Sequence, residues 1–165
     1  MTPKLIGITG RAGSGKTTLA KFIRDQPENA TIIPFAGPVK SIAYQMGWNG
    51  EKDAKGRRLL QLLGTECGRE CVDPNIWVRK WAIDARNELN TCCTVIADDV
   101  RFPNEAAKIR ELGGVIVRVV RDGCEPSDHA SETLMDGITA DYTINNNGTP
   151  AELEAEAKEL MERMR

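Results

Sequence analysis

The chain has 165 residues, 41% hydrophobic and 28% charged, which is enough for one α/β domain with a sizeable core and too apolar for a disordered segment. Lys and Arg total 22 against 24 Asp and Glu, so the net charge of −2 gives no overall field for nucleic acid, and an anionic ligand must be met by a local group of cations. No apolar run is long enough for a membrane span, and the opening MTPKLIGITG does not read as a secretory signal, so a cytoplasmic location is expected.

The first element in chain order is a short strand over 4–9 ending at Gly10, followed by a helix over 15–25 that stops near Pro27. Between them Gly10-Arg11-Ala12-Gly13-Ser14-Gly15-Lys16-Thr17 fits GxxxxGK[ST], and Thr18 follows. In that pattern the glycines let backbone N–H groups turn inward around a phosphate, and the next helix aims its positive end at the same anion. Lys16 reaches the β- and γ-phosphates of a nucleoside triphosphate, and the Thr17 hydroxyl is placed for Mg²⁺. An ATP–Mg²⁺ site over residues 10–18 follows.

A second strand is expected over 31–35 and a helix over 37–47. Residues 55–69 read as one amphipathic helix. At 100° per residue Arg57, Arg58, Gln61, Thr65 and Arg69 share an arc of roughly 120°, while Leu59, Leu60, Leu62 and Leu63 fill the opposite, core-facing side. The polar arc suits the grip of a phosphate and of base edges. A helix over 74–89 follows, with Asp73 as its N-cap and Pro74 in the first turn. Trp77 near its start is either a base-stacking ring or a core aromatic.

Residues 94–97 form a third strand, which runs into Asp98 and Asp99. Acidic residues just past a buried strand hold the magnesium shell beside a phosphate loop. The two carboxylates point to opposite sides, one for the metal and the other for the acceptor or an arginine, with their order open. A helix over 103–112 ends at Gly113 and Gly114, and 115–120 is a strand apolar except for Arg118. Residues 121–137 are polar and loop-like. A last strand over 141–144 and a charged helix over 150–164 close the chain. Unbroken aliphatic runs between helices indicate a parallel sheet buried on both faces. Cys67, Cys71, Cys92, Cys93 and Cys124 read as reduced thiols. A single histidine and the lack of a second CxxC-like pair argue against a structural metal at Cys67 and Cys71.

Over nearly its whole length the chain resembles the bacteriophage-type deoxynucleoside monophosphate kinases, P-loop kinases related to dephospho-coenzyme A kinase. The resemblance rests on GITGRAGSGKTT, PFAGPVK at 34–40, GRRLLQLLGTECGRE at 56–70 and IWV at 76–78. IADDVRFPNE at 96–105, SDHASE at 127–132 and DYTINNNGT at 141–149 complete it in order. It implies a three-layer P-loop kinase sandwich with a five-stranded parallel sheet, acceptor-binding helices over about 37–90 and a short lid over about 121–137. The implied reaction moves the γ-phosphate of ATP to a deoxynucleoside monophosphate, in the host cytoplasm if the chain is phage-encoded. By position it implies that Phe35, Ala36 and Lys40 begin the acceptor pocket and that Arg57, Gln61 and Arg69 contact the monophosphate. Asp98, Asp99 and Arg101 lie between metal and acceptor, and Arg121 is the lid arginine, with Arg101 or Arg11 sharing its task. Asn145, Asn147 and Gly148 border the adenine. His129, Ser131 and Glu132 fall in the lid without an assigned role. A homodimer through helices away from the site stays open. Rival readings are a kinase of another small metabolite, such as dephospho-coenzyme A, and an ATPase module. No NKxD or LSGGQ signature points to a GTPase switch or a transporter ATPase.

Overall fold

A computed structural model describes residues 4–26, 29–91, 94–124 and 134–164. Five strands form one parallel sheet: β1 Leu5–Thr9, β2 Ala30–Ile32, β3 Thr94–Ala97, β4 Val115–Val120 and β5 Tyr142–Asn145, in the order β2-β3-β1-β4-β5. The register sets Gly7 of β1 beside Ala97 on one flank and Ile116 on the other. The order reverses direction at β1, so the loops after β1 and β3 open side by side at the carboxyl edge, where ligands enter such sheets.

The aliphatic runs feed two cores because successive side chains face opposite ways. Leu5, Val95, Ala97 and Ile116 pack on one face with Phe35, Trp81 and Ile109; Ile6, Ile8, Ile96 and Val117 pack on the other with Leu19, Ile23, Leu153 and Leu160. Helices α1 Lys16–Arg24 and α6 Pro150–Arg163 cover the second face, and α4 Ile76–Asn90 and α5 Pro103–Glu111 the first. With α2 Gly37–Gln45 and α3 Ala54–Gln61, six α-helices complete a three-layer α/β sandwich among the described residues. α6 begins with the reciprocal Thr149–Glu152 capping box. α5 ends as the Gly113–Gly114 pair predicts, with Gly113 N–H bonded to Arg110 O and Gly114 N–H to Ile109 O.

The single helix expected over 55–69 is instead α3 followed by a π-helix, Leu62–Glu70. Its i→i+5 bonding changes the residues per turn, so the 100° projection fails beyond Gln61. The leucines of that segment are half-buried rather than core. Trp77 packs on this segment: its indole lies against Gly68, where a Cβ would meet ring atoms at 2.6–2.8 Å, and its Nε1 donates to Gly64 O at 2.7 Å. α4 also starts later than expected, with Asn75 at its N-cap; Asp73 instead accepts from Asn75 N–H across a turn that contains Pro74. The polar stretch 121–137 ends in a 3-10 turn, Leu134–Gly137.

Candidate active site

The GxxxxGK[ST] segment joins β1 to α1 as the sequence requires. Gly15 caps α1 with φ 103° and ψ 15°, a left-handed conformation in which a side chain is strained. Ala12 and Gly13 form the exposed crest of the loop, Ser14 is buried, and Thr17 and Thr18 face solvent in the first turn. The Lys16 ammonium donates to Gly10 O at 2.7 Å and Arg11 O at 2.8 Å, so the cation lies across the mouth of the cradle. A cleft of about 390 Å³ opens here, lined by Gly13, Lys16, Thr17, Thr18, Arg121 and Gly148 among others.

The structure separates the two carboxylates after β3. Asp98 turns to the phosphate loop, where its Oδ2 accepts from the Thr17 hydroxyl at 2.9 Å. Asp99 turns the other way and accepts from the N–H groups of Phe35 and Ala36 at 2.8 and 2.9 Å, just ahead of α2. Burial pushes the Asp99 carboxyl up; the two backbone N–H groups and Arg101 pull it down, and the Asp98 charge adds to the rise. Thr17 and Asp98 offer hard oxygen donors of the kind Mg²⁺ takes, and among the described residues no cluster of three or more His, Cys, Asp or Glu could cage a metal alone. The donor set therefore fits an ion held jointly by the protein and by phosphate oxygens.

Arg11, Arg118 and Arg121 flank the cradle, and Arg101 lies near Asp99. Arg121, exposed after β4, lines the cleft. Arg11 is tied by Nη2 to both oxygens of Asp136 in the 3-10 turn, at 2.9 and 3.1 Å. Arg118 reaches the carbonyls of Met135 and Ile138 and so fixes the same turn to β4. Arg101 gives its backbone N–H to Glu105.

On the acceptor side Arg57 is exposed, and Lys40 and Gln61 are half-buried at the surface. Three of the expected acceptor residues have their side chains engaged within the fold. Phe35 is 2% exposed and stacks on Trp81 at 4.3 Å, so its ring belongs to the core and only its N–H faces Asp99. Trp77 is the core aromatic of the two readings, with its indole filling the slot over Gly68. Arg69 is rotated inward by the π-helix and buried. Its guanidinium pairs with Glu105 at 2.5 Å, donates to Pro74 O at 3.1 Å and stacks on the Phe102 ring at 3.8 Å.

Two residues at the site escaped the sequence reading. Glu105 is 2% exposed and accepts from Arg69 and from the N–H groups of Arg101 and Phe102; burial pushes its carboxyl up to about 7 against the pull of Arg69. Its place three residues into α5, after a Phe-Pro entry, was the available signal. Asn146 is buried and donates by Nδ2 to Ser14 O at 2.8 Å. Asn147, expected at the adenine, is exposed and accepts from Asp122 N–H at 2.8 Å. His129, Ser131 and Glu132 lie outside the described residues.

A phosphate loop at the reversal point of a parallel five-stranded sheet, with an acidic residue from the neighbouring strand bonded to the loop threonine, defines a P-loop kinase. Solved structures agree on the fold. The chain aligns over 98% of both lengths with an APS kinase of Mycobacterium tuberculosis (TM-score 0.56, 12% identity). It covers 97% of the dephospho-CoA kinase of Campylobacter jejuni at TM-score 0.53 and 12% identity, with 98% of this chain matched. Within that class, residues 43–157 match the deoxynucleotide monophosphate kinase family, and the chain belongs to it. A protein of Acanthamoeba polyphaga mimivirus, named as a candidate deoxynucleotide monophosphate kinase, is 32% identical over 88% of this chain and 89% of its own length. The deoxynucleotide monophosphate kinase of Enterobacteria phage T4 is 31% identical over 64% of this chain, and the match spans 44% of that longer protein. Among the described residues no helix is long and apolar enough to cross a membrane.

Proposed function

We propose that the chain moves the γ-phosphate of ATP to the phosphate of a deoxynucleoside monophosphate, with the phosphate loop and the end of β3 as the donor site and the segment 37–90 as the acceptor region. The observation that carries this reading is the split of the two carboxylates. Asp98 is bonded to Thr17 on the donor flank, and Asp99 holds the 35–36 turn on the acceptor flank. A phosphate acceptor is already ionised, so the residues need only position two polyanions and neutralise charge; no strong general base is required. Lys16 leaves the carbonyls of Gly10 and Arg11 for the β- and γ-phosphates, and the backbone of residues 11–17 cradles them. Thr17 and Asp98 would hold Mg²⁺, which would supply charge neutralisation for the phosphoryl group being transferred. Arg121 faces the donor cleft, and Arg101, beside Asp99, serves the space between donor and acceptor. Lys40, Arg57 and Gln61 form the acceptor face. The described ends of the lid expected over about 121–137 flank the donor site, with Arg121 on the cleft and Asp136 paired to Arg11; residues 125–133 lie outside the described residues.

The test is a panel of deoxynucleoside and ribonucleoside monophosphates, with dephospho-coenzyme A alongside, each with ATP and Mg²⁺ and read by coupled ADP release. ADP release that depends on a deoxynucleoside monophosphate is the expected result. Release indifferent to every monophosphate, or dependent only on dephospho-coenzyme A, would overturn the reading.

A further inference from the structure

We infer that Asn146, the residue after β5, is a positioning residue that sets the phosphate-cradling peptide between Ser14 and Gly15. The inference deepens the donor half of the proposed function and rests on it. Asn146 is 8% exposed, and its side chain spans 132 positions of sequence to donate to Ser14 O at 2.8 Å. That carbonyl can only accept, so the group facing it must be the amide N–H₂. In a planar trans peptide the C=O and the next N–H point in opposite directions. By holding Ser14 O outward, Asn146 turns the Gly15 N–H to the opposite side, into the loop where phosphate oxygens sit. The amide also occupies the space a side chain at Gly15 would need, since a Cβ there would lie 2.3 Å from Nδ2. Two constraints thus meet at one peptide: Gly15 has the left-handed backbone and Asn146 fixes its orientation.

The main chain of Asn146 is held independently. Its N–H bonds Val120 O at 2.8 Å, next to the last β4–β5 pair, Val120 and Asn145. Removing the side-chain amide therefore leaves the sheet edge intact and releases the Ser14–Gly15 peptide. The residue also lines the donor cleft with Lys16, Thr18 and Gly148. A contact to the adenine is the competing role, and the two roles differ in which part of the nucleotide feels the loss.

The experiment measures binding of Mg–ATP and of Mg–tripolyphosphate by calorimetry to the parent, Asn146→Ala and the isosteric Asn146→Asp, alongside thermal unfolding and steady-state kinetics. Asn146→Ala should weaken both ligands by the same factor, about tenfold for one lost bond to a buried carbonyl. Asn146→Asp should weaken both further, because a carboxylate cannot donate to Ser14 O and repels phosphate. KM for the monophosphate should stay within about twofold of the parent. Weakened ATP with unchanged tripolyphosphate would overturn the inference in favour of an adenine contact. Unchanged affinity for both with a lowered Tm would overturn it in favour of packing alone. A parent that binds neither ligand would overturn the donor-site reading itself, and a parent that binds both yet fails the monophosphate panel would leave this inference standing while the acceptor assignment falls.

Discussion

Arg69→Met separates an acceptor arginine from a structural one. The guanidinium is 10% exposed and the Glu105 carboxylate 3%, so the pair is almost wholly removed from water. Taking away one member of such a pair leaves the other charge buried, at a cost of about 3–5 kcal/mol. The stack on Phe102 contributes roughly 0.5–2 kcal/mol more, partly recovered by the methionine side chain. For a chain of this size each kcal/mol lowers Tm by about 2–4 °C, so loss of the ion pair alone lowers it by roughly 6–20 °C. Circular dichroism across a thermal ramp reads the loss, and kinetics with the monophosphate varied should show KM within about twofold of the parent at a temperature where the variant is folded. Adding Glu105→Gln should restore part of the Tm, because the neutral side chain leaves no lone buried charge and its amide oxygen still accepts from the Arg101 and Phe102 N–H groups. A variant that keeps the parent Tm but raises the monophosphate KM tenfold or more would refute the reasoning and return Arg69 to the acceptor site.

Asp98→Asn should raise the magnesium concentration needed for half-maximal rate, whereas Asp99→Asn should raise the acceptor KM and cost about 1–3 kcal/mol of stability, since its amide cannot accept from both N–H groups as the carboxylate does. Magnesium titration of the two variants checks this, and a shift confined to Asp99→Asn reverses the assignment. Arg57→Ala should raise the monophosphate KM about ten- to a hundredfold with little change in the KM for ATP, and an unchanged acceptor KM removes the exposed face of α3 from the site. Glu105 binds its proton more tightly folded, with a carboxyl near 7, than unfolded at 4.5, so its ionisation opposes folding. Stability should fall as pH rises from about 4.5 to 7 and level off above, by about 3 kcal/mol in total, and denaturant titrations of Glu105→Gln should lack that slope.

The parts legible in the sequence are those whose cause is local. A strand, a glycine turn and a lysine-threonine helix start define residues 5–24 within twenty positions, and aliphatic runs mark β1, β3 and β4 because both faces of the sheet are covered there; the edge strands β2 and β5 are only partly buried, and β2 is shorter than the 31–35 expected. Asp98 and Asp99 could be found by their place after β3, though their division of labour needed the positions of Thr17 and the 35–36 turn. Misreadings arose where distant packing overrides a local period. Trp77 wedged over Gly68 accompanies a π-helix that no 3.6-residue projection anticipates, and this turns Arg69 from the polar arc into the interior. The place of Phe35 at the start of the acceptor pocket is implied by resemblance alone, and its ring stacks on Trp81. Asn146 stood unnoticed between two more prominent residues, since its partner is in the first loop of the chain.

The three tryptophans, Trp48, Trp77 and Trp81, all fall between α2 and the middle of α4, and none lies in the phosphate loop or on α1, β4, β5 or α6. They also differ in surroundings. Trp81 donates to Ile33 O from the core, Trp77 donates to Gly64 O over the π-helix, and Trp48 is half-buried against Tyr44. Ultraviolet emission from this protein is thus an intrinsic optical probe of one half of the molecule. A red shift on warming reports exposure of the indoles of that half, and quenching on addition of a monophosphate reports movement there, while events confined to the phosphate loop pass without a fluorophore beside them.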